Sequence, residues 1–98
     1  MDLEELTQRM HAFVRSKGWY GSTSVKPQTP KNLAVSLVLE ANEVLELFQW
    51  SDELDSQDEL ASELADVMLY LIQLASVSKI DLEKAVLSKL DENYDRKW

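Results

Sequence analysis

Four carboxylates stand out by their spacing. Glu40 and Glu43 are three residues apart, as are Glu63 and Asp66, with nineteen residues between the pairs. Residues three apart share one face of a helix. The span from Glu40 to Asp66 holds ten acids and no Lys, Arg or His. Acids in a connection solvate a turn, but acids set among apolar helical residues need another account. Four facing carboxylates with no cation repel one another at low dielectric constant, so a proton or a divalent metal must neutralise them. All-oxygen ligands favour Mg²⁺, with Mn²⁺ as a substitute, over zinc or copper. A di-iron centre would want two Glu-x-x-His units, and the one histidine, His11, lies elsewhere. Mg²⁺ on a few carboxylates keeps positions open for water and phosphate oxygens, so it can bind a polyphosphate and activate water. The competing reading of the same spacing is an amphipathic bundle with solvated acidic faces.

The elements that position these acids read as helices. Asp2 caps a first helix to about Lys17, with Leu3, Leu6, Met10, Phe13 and Val14 on one stripe and Gly18 ending it. Gly18 to Pro30 holds every Gly and Pro of the chain and is the one clear loop, a segment that can close over a ligand. Thr29 then Pro30 is a cap followed by a first-turn proline, opening a second helix to about Trp50 that is apolar enough to be buried on two sides. A third helix is expected from about Gln57 to Ser78, with Leu60, Leu64, Val67, Leu71, Leu74 and Ala75 inward. Asp81 caps a fourth, with Leu82, Ala85, Val86 and Leu90 inward. Glu43 lies about seven residues before its helix end and Glu63 about six after the next start. At ~1.5 Å per residue both pairs sit roughly 10 Å from the connection and face each other. The fold expected is all-α, a bundle or an interlocked helical oligomer.

Composition bounds the rest. The 98 residues make one domain over 1–98, small enough to need partner subunits. The net charge of -8 argues against binding a nucleic-acid polymer. Absence of Cys excludes disulfides, thiolate zinc sites and a cysteine nucleophile. No continuous apolar run approaches the ~20 residues of a membrane span, and the acidic start Met1-Asp2-Leu3-Glu4-Glu5 lacks an apolar signal region. The expectation is a soluble cytoplasmic protein with no membrane partner.

The ordered words around the acids resemble a known family. Pro30-Lys31-Asn32-Leu33, Glu40-Ala41-Asn42-Glu43-Val44-Leu45-Glu46-Leu47-Phe48-Gln49-Trp50, Glu63-Leu64-Ala65-Asp66-Val67-Met68-Leu69-Tyr70-Leu71 and Lys89-Leu90-Asp91-Glu92-Asn93 are similar to the all-α nucleoside triphosphate pyrophosphohydrolases. This is the MazG-like superfamily, and the words fit its compact dCTP pyrophosphatase branch. The resemblance covers nearly the whole chain. It implies hydrolysis of a nucleoside triphosphate, such as a dNTP, to monophosphate and pyrophosphate, for pool control or house-cleaning. It implies Glu40, Glu43, Glu63 and Asp66 as Mg²⁺ ligands and catalytic groups. Lys89, Asn93 and Arg96 would contact phosphates, although Lys97-Trp98 stand here where the family often has Tyr-Pro. His11, Trp19, Trp50 and Tyr70 match base-pocket positions. A homotetramer built from dimers, with sites drawn from more than one subunit, is implied as well. The alternative is a catalytically silent helical interaction module with an acidic groove.

Overall fold

A computed structural model describes all 98 residues as four helices and no strands: α1 (Leu3–Ser16), α2 (Pro30–Glu46), α3 (Gln57–Val77) and α4 (Leu82–Asp95). Each start has a side-chain cap that satisfies an orphan backbone donor. Asp2 accepts from the Glu5 N–H, Thr29 from Asn32, Ser56 from Glu59 and Asp81 from Lys84. α1 ends with Gly18 at φ 72°, a conformation that costs glycine little. Lys79 plays the same part after α3 at φ 59°.

α2 stops four residues before Trp50. The N–H groups of Leu47, Phe48 and Gln49 reach back three residues rather than four, to Val44, Leu45 and Glu46. That tightening closes the helix.

α2 and α3 pack together as a hairpin, and α1 packs on α3. The core is small: Met10 and Val14 of α1 meet Ile72 of α3, with Leu3, Leu6, Trp19, Tyr20 and Leu82 against them. The buried stripe of α3 runs through Ile72, Gln73 and Ala75. Of the expected stripe, Ala75 is buried and Leu60, Val67 and Leu74 are half-buried, while Leu64 and Leu71 face outward. Leu recurring on several sides of the apolar half of a helix does not say which side meets a neighbour.

The four helices do not close into a bundle. α4 has no buried residue, and Ala85, Val86 and Leu90, expected inward, are exposed. On α2 only Leu33 is buried, and Val38, Leu39 and Leu45 lie open. The radius of gyration is 15.9 Å, against about 13 Å for a compact chain of this length. The accessible surface is 7746 Å², against about 5,700 Å² for a folded monomer of this mass. α3, at 21 residues, is long and apolar enough by length and composition to cross a membrane. Here it is the helix against which α1 and α2 pack.

Candidate active site

α2 and α3 bring three of the four predicted acids together. The carboxylate oxygens of Glu40, Glu63 and Asp66 lie within 4.8 Å of one another. None has a basic partner, since the chain's one ion pair is Lys89–Glu92 on α4. Lost hydration first, then repulsion from Asp66, Glu63 and Glu43, holds the Glu40 carboxyl above the usual carboxylate range. Glu43 stands at the edge of this group, exposed, and outside the three-carboxylate set. Its carboxyl is also raised, chiefly by Glu46 three residues on, then by partial desolvation and by Glu63. The set is suited to a hard divalent cation, because every donor is a carboxylate oxygen.

Asp66 also lines a cavity of about 810 Å³. α1 gives it Arg9, Met10 and Phe13, the loop gives Trp19, Lys26 and Gln28, α2 begins it with Lys31 and Asn32, and α3 closes it with Tyr70 and Gln73. Asp66, Tyr70 and Gln73 are four and then three residues apart, so one face of α3 carries all three. The loop is held at the cavity by polar contacts. Lys26 lies 5.1 Å over the Trp19 ring, and the Asn32 side-chain amide donates to the Pro27 carbonyl at 2.9 Å.

Of the residues named from sequence for the base, Trp19 and Tyr70 line this cavity. His11 does not. It sits behind the wall, with Nδ1 2.6 Å from the Tyr20 hydroxyl and Nε2 2.7 Å from Ser76 Oγ. Burial, then Arg15, lowers its pKa against a smaller opposing pull from Glu4. Trp50 is 90% exposed and borders a separate cleft of about 210 Å³ among Glu46, Glu53, Asp55 and Glu59. Lys89 and Asn93 are on α4, Arg96 caps its C-terminal end, and none of the three lines the cavity. Lys89 pairs with Glu92 at 3.4 Å, Arg96 stacks 4.4 Å over Trp98, and Asn93 Oδ1 is buried without a partner.

Sequence reasoning missed Arg9, Lys26, Lys31, Gln28 and Gln73. A signal existed for the last: Gln73 is a polar residue inside the apolar run of α3, and it is 3% exposed.

Residues 28–97 match the MazG nucleotide pyrophosphohydrolase domain. The dCTP pyrophosphatase 1 proteins of Rattus norvegicus and Homo sapiens are each 36% identical over 104 residues, covering 96% of this chain and 58% of theirs. The chain therefore spans little more than half the length of these relatives. A crystal structure of a pyrophosphatase from Archaeoglobus fulgidus superposes with a TM-score of 0.79 at 38% identity, covering 93% of this chain and 87% of that one. With the four helices, the paired acids on α2 and α3 and this match over most of its length, the chain belongs to the MazG nucleotide pyrophosphohydrolase domain family.

Proposed function

We propose that this chain hydrolyses a nucleoside triphosphate to the monophosphate and pyrophosphate with Mg²⁺, acting on a deoxynucleotide such as dCTP. The observation that carries the reading is the junction at Asp66. Three carboxylates with no cation of their own meet there at the wall of a cavity large enough for a nucleotide. Glu40, Glu63 and Asp66 would hold the metal, with Glu43 beside them. When bound, Mg²⁺ would neutralise phosphate charge, orient the triphosphate and acidify a water.

The chain's own residues supply the rest. Arg9, Lys26 and Lys31 put positive charge in the same lining, where cationic donors suit phosphate oxygens. Trp19 and Tyr70 offer flat apolar surfaces for a base. In the reaction, a water oxygen bonds to the α-phosphorus and the bond from that phosphorus to the bridging oxygen breaks, releasing pyrophosphate. The choice of dCTP follows the names of the relatives.

The active form is a homotetramer, a dimer of dimers. The excess surface and the open apolar faces of α2, α3 and α4 support this. Assembly would also give Trp50, Lys89, Asn93 and Arg96 a way to reach a site on a neighbouring protomer. A cytoplasmic location fits a Cys-free, acidic chain acting on nucleotide pools.

The test is pyrophosphate release from a panel of NTPs and dNTPs with Mg²⁺, beside EDTA and Glu63→Gln controls, with sedimentation equilibrium on the same sample. Metal-dependent release lost in Glu63→Gln, from a particle about four times the 11.3 kDa chain mass, is expected. No release from any nucleotide by a folded oligomer would overturn the enzymatic reading in favour of an interaction module.

A further inference from the structure

At the cavity wall, five polar side chains form one continuous hydrogen-bonded chain, and the Lys26 carbonyl fixes the donor directions at its Gln28–Gln73 end. The main-chain carbonyl of Lys26 can only accept. Gln28 therefore turns its amide nitrogen to it, at 2.7 Å, and leaves its Oε1 facing Gln73. That oxygen orients Gln73 in turn. Gln73 Nε2 donates to Gln28 Oε1 at 2.8 Å and to the Tyr20 hydroxyl at 3.2 Å. The Tyr20 hydroxyl, which accepts from Gln73, also meets His11 Nδ1 at 2.6 Å, and His11 Nε2 meets Ser76 Oγ at 2.7 Å. Burial favours the neutral form of both rings, lowering the His11 pKa and raising that of Tyr20.

Both N–H groups of Gln73 are thus consumed. Its Oε1 has no partner within the chain, and it is not sealed away, because the one buried side-chain polar atom without a partner is Asn93 Oδ1. Gln73 lines the 810 Å³ cavity on the face of α3 that carries Asp66 and Tyr70. A free carboxamide reads donors and acceptors equally well by turning over. This one cannot turn without setting its oxygen against Gln28 Oε1, 2.8 Å away. Gln73 lines the cavity, and its one polar atom left without a partner is this acceptor.

We propose that Gln73 selects the base. Its Oε1 accepts a hydrogen bond from an exocyclic amino group, so the site takes the 4-amino group of cytosine in preference to the 4-keto group of uracil. The inference rests on the proposed reaction only in placing the nucleotide base in this cavity. A keto oxygen in the same place would face Oε1 with no proton between them, leaving two desolvated acceptors. Imide pairing, the usual way a glutamine reads uracil, needs a free N–H that Gln73 does not have. Tyr20, His11 and Gln28 are positioning residues that fix the polarity of Gln73.

The experiment is kcat/KM for dCTP against dUTP, with calorimetric binding of dCMP against dUMP, in the wild type, Gln73→Met and Tyr20→Phe. The wild type should favour the amino member roughly 10-fold or more, the scale of one buried unpaired polar group. Gln73→Met, which keeps the shape and loses the acceptor, should bring both ratios to within about 3-fold of one. Tyr20→Phe frees one N–H of Gln73, so the ratios should fall through a gain on the uracil member, which partial unfolding would not produce. Wild-type ratios near one, or ratios kept in Gln73→Met, would overturn the proposal. If Gln73→Met does not fold, unchanged ratios in Tyr20→Phe overturn it. If no triphosphate is hydrolysed, the proposed reaction fails by itself, and the monophosphate affinities still decide the role of Gln73, equal values counting against it.

Discussion

Two stretches of α3, about 10 Å apart along one helix face, handle clustered polar groups in opposite ways. At Glu63 and Asp66, with Glu40 across from them, like charges converge and nothing in the chain neutralises them. At Gln73 and Ser76, neutral groups from the loop, α1 and α3 satisfy one another until a single carbonyl oxygen is left over. Polar groups gathered in a partly dehydrated place cost free energy unless paired. The first stretch leaves that pairing to something from outside the chain. The second completes it internally. A site that must bind a charged species gains from the first arrangement, and one that must read the shape and polarity of a base gains from the second.

Removing a carboxylate should break the first stretch with the largest effect. Asp66→Asn should lower metal-dependent pyrophosphate release by roughly 10²–10³-fold, the scale of losing one preorganised electrostatic group in a reacting centre. The same variant should unfold at a higher temperature than the wild type in EDTA, because repulsion is relieved. Saturating Mg²⁺ should reverse that order. An ion at 100 times its Kd adds about 2.7 kcal/mol to a protein that binds it only when folded, and the variant forfeits most of this. Scanning calorimetry at fixed protomer concentration, with and without Mg²⁺, checks both halves. A wild type that Mg²⁺ does not stabilise would remove the contrast between the two stretches.

The second stretch should respond in stability first. Tyr20→Phe strands the amide of Gln73 and Nδ1 of His11 together, which should cost about 1–3 kcal/mol. The Mg²⁺-induced stabilisation should be the same in this variant as in the wild type. The two stretches share no partner and are far enough apart for their effects to add. Urea unfolding of Tyr20→Phe, Glu63→Gln and the double variant measures that additivity. An interaction energy beyond about 0.5 kcal/mol would show that one network transmits to the other.

The two stretches also differ in how far the sequence foretold them. Charge is legible locally. Glu40, Glu63 and Asp66 announce themselves by spacing, and the helix that carries Glu40 opens on a local signal, Thr29 with Pro30. The internal network is not, because its bonds join residues 65, 53 and 45 positions apart. Nothing in the neighbourhood of His11 says that Ser76 will stand beside it. The same limit explains why Leu71, expected inward on α3, is exposed: Leu71 and Ile72 are equally apolar, and only the position of α1 chooses Ile72. It explains α4 too. Its cap at Asp81 was readable, but the periodicity of Val86 and Leu90 records a buried face without saying which molecule buries it. The end of α2 turned on three backbone bonds that no side-chain pattern encodes.

The smallest expected effect sharpens the comparison through its sign. Burial, then Arg15, lowers the pKa of His11 below its ordinary 6.5, so the unfolded chain binds a proton there more readily than the folded one. The stabilisation tied to neutral His11 is therefore complete above pH 6.5 and is lost as pH falls through the folded-state pKa. Glu40 runs the other way. Its carboxyl is raised above 4.5 by lost hydration and acidic neighbours, so its contribution is complete below pH 4.5 and lost as pH rises through the folded-state value. In EDTA, acidification should thus weaken the Gln73 end while relaxing the Asp66 end. Urea midpoints between pH 5 and 8 for Glu63→Gln, where the carboxylate repulsion is reduced, should fall more steeply on acidification than those of the wild type. In His11→Asn that fall should be blunted, because no ring remains to be protonated between Tyr20 and Ser76. Parallel curves for the wild type and both variants would mean that neither stretch titrates differently in the folded chain, and the opposition between them would reduce to geometry alone.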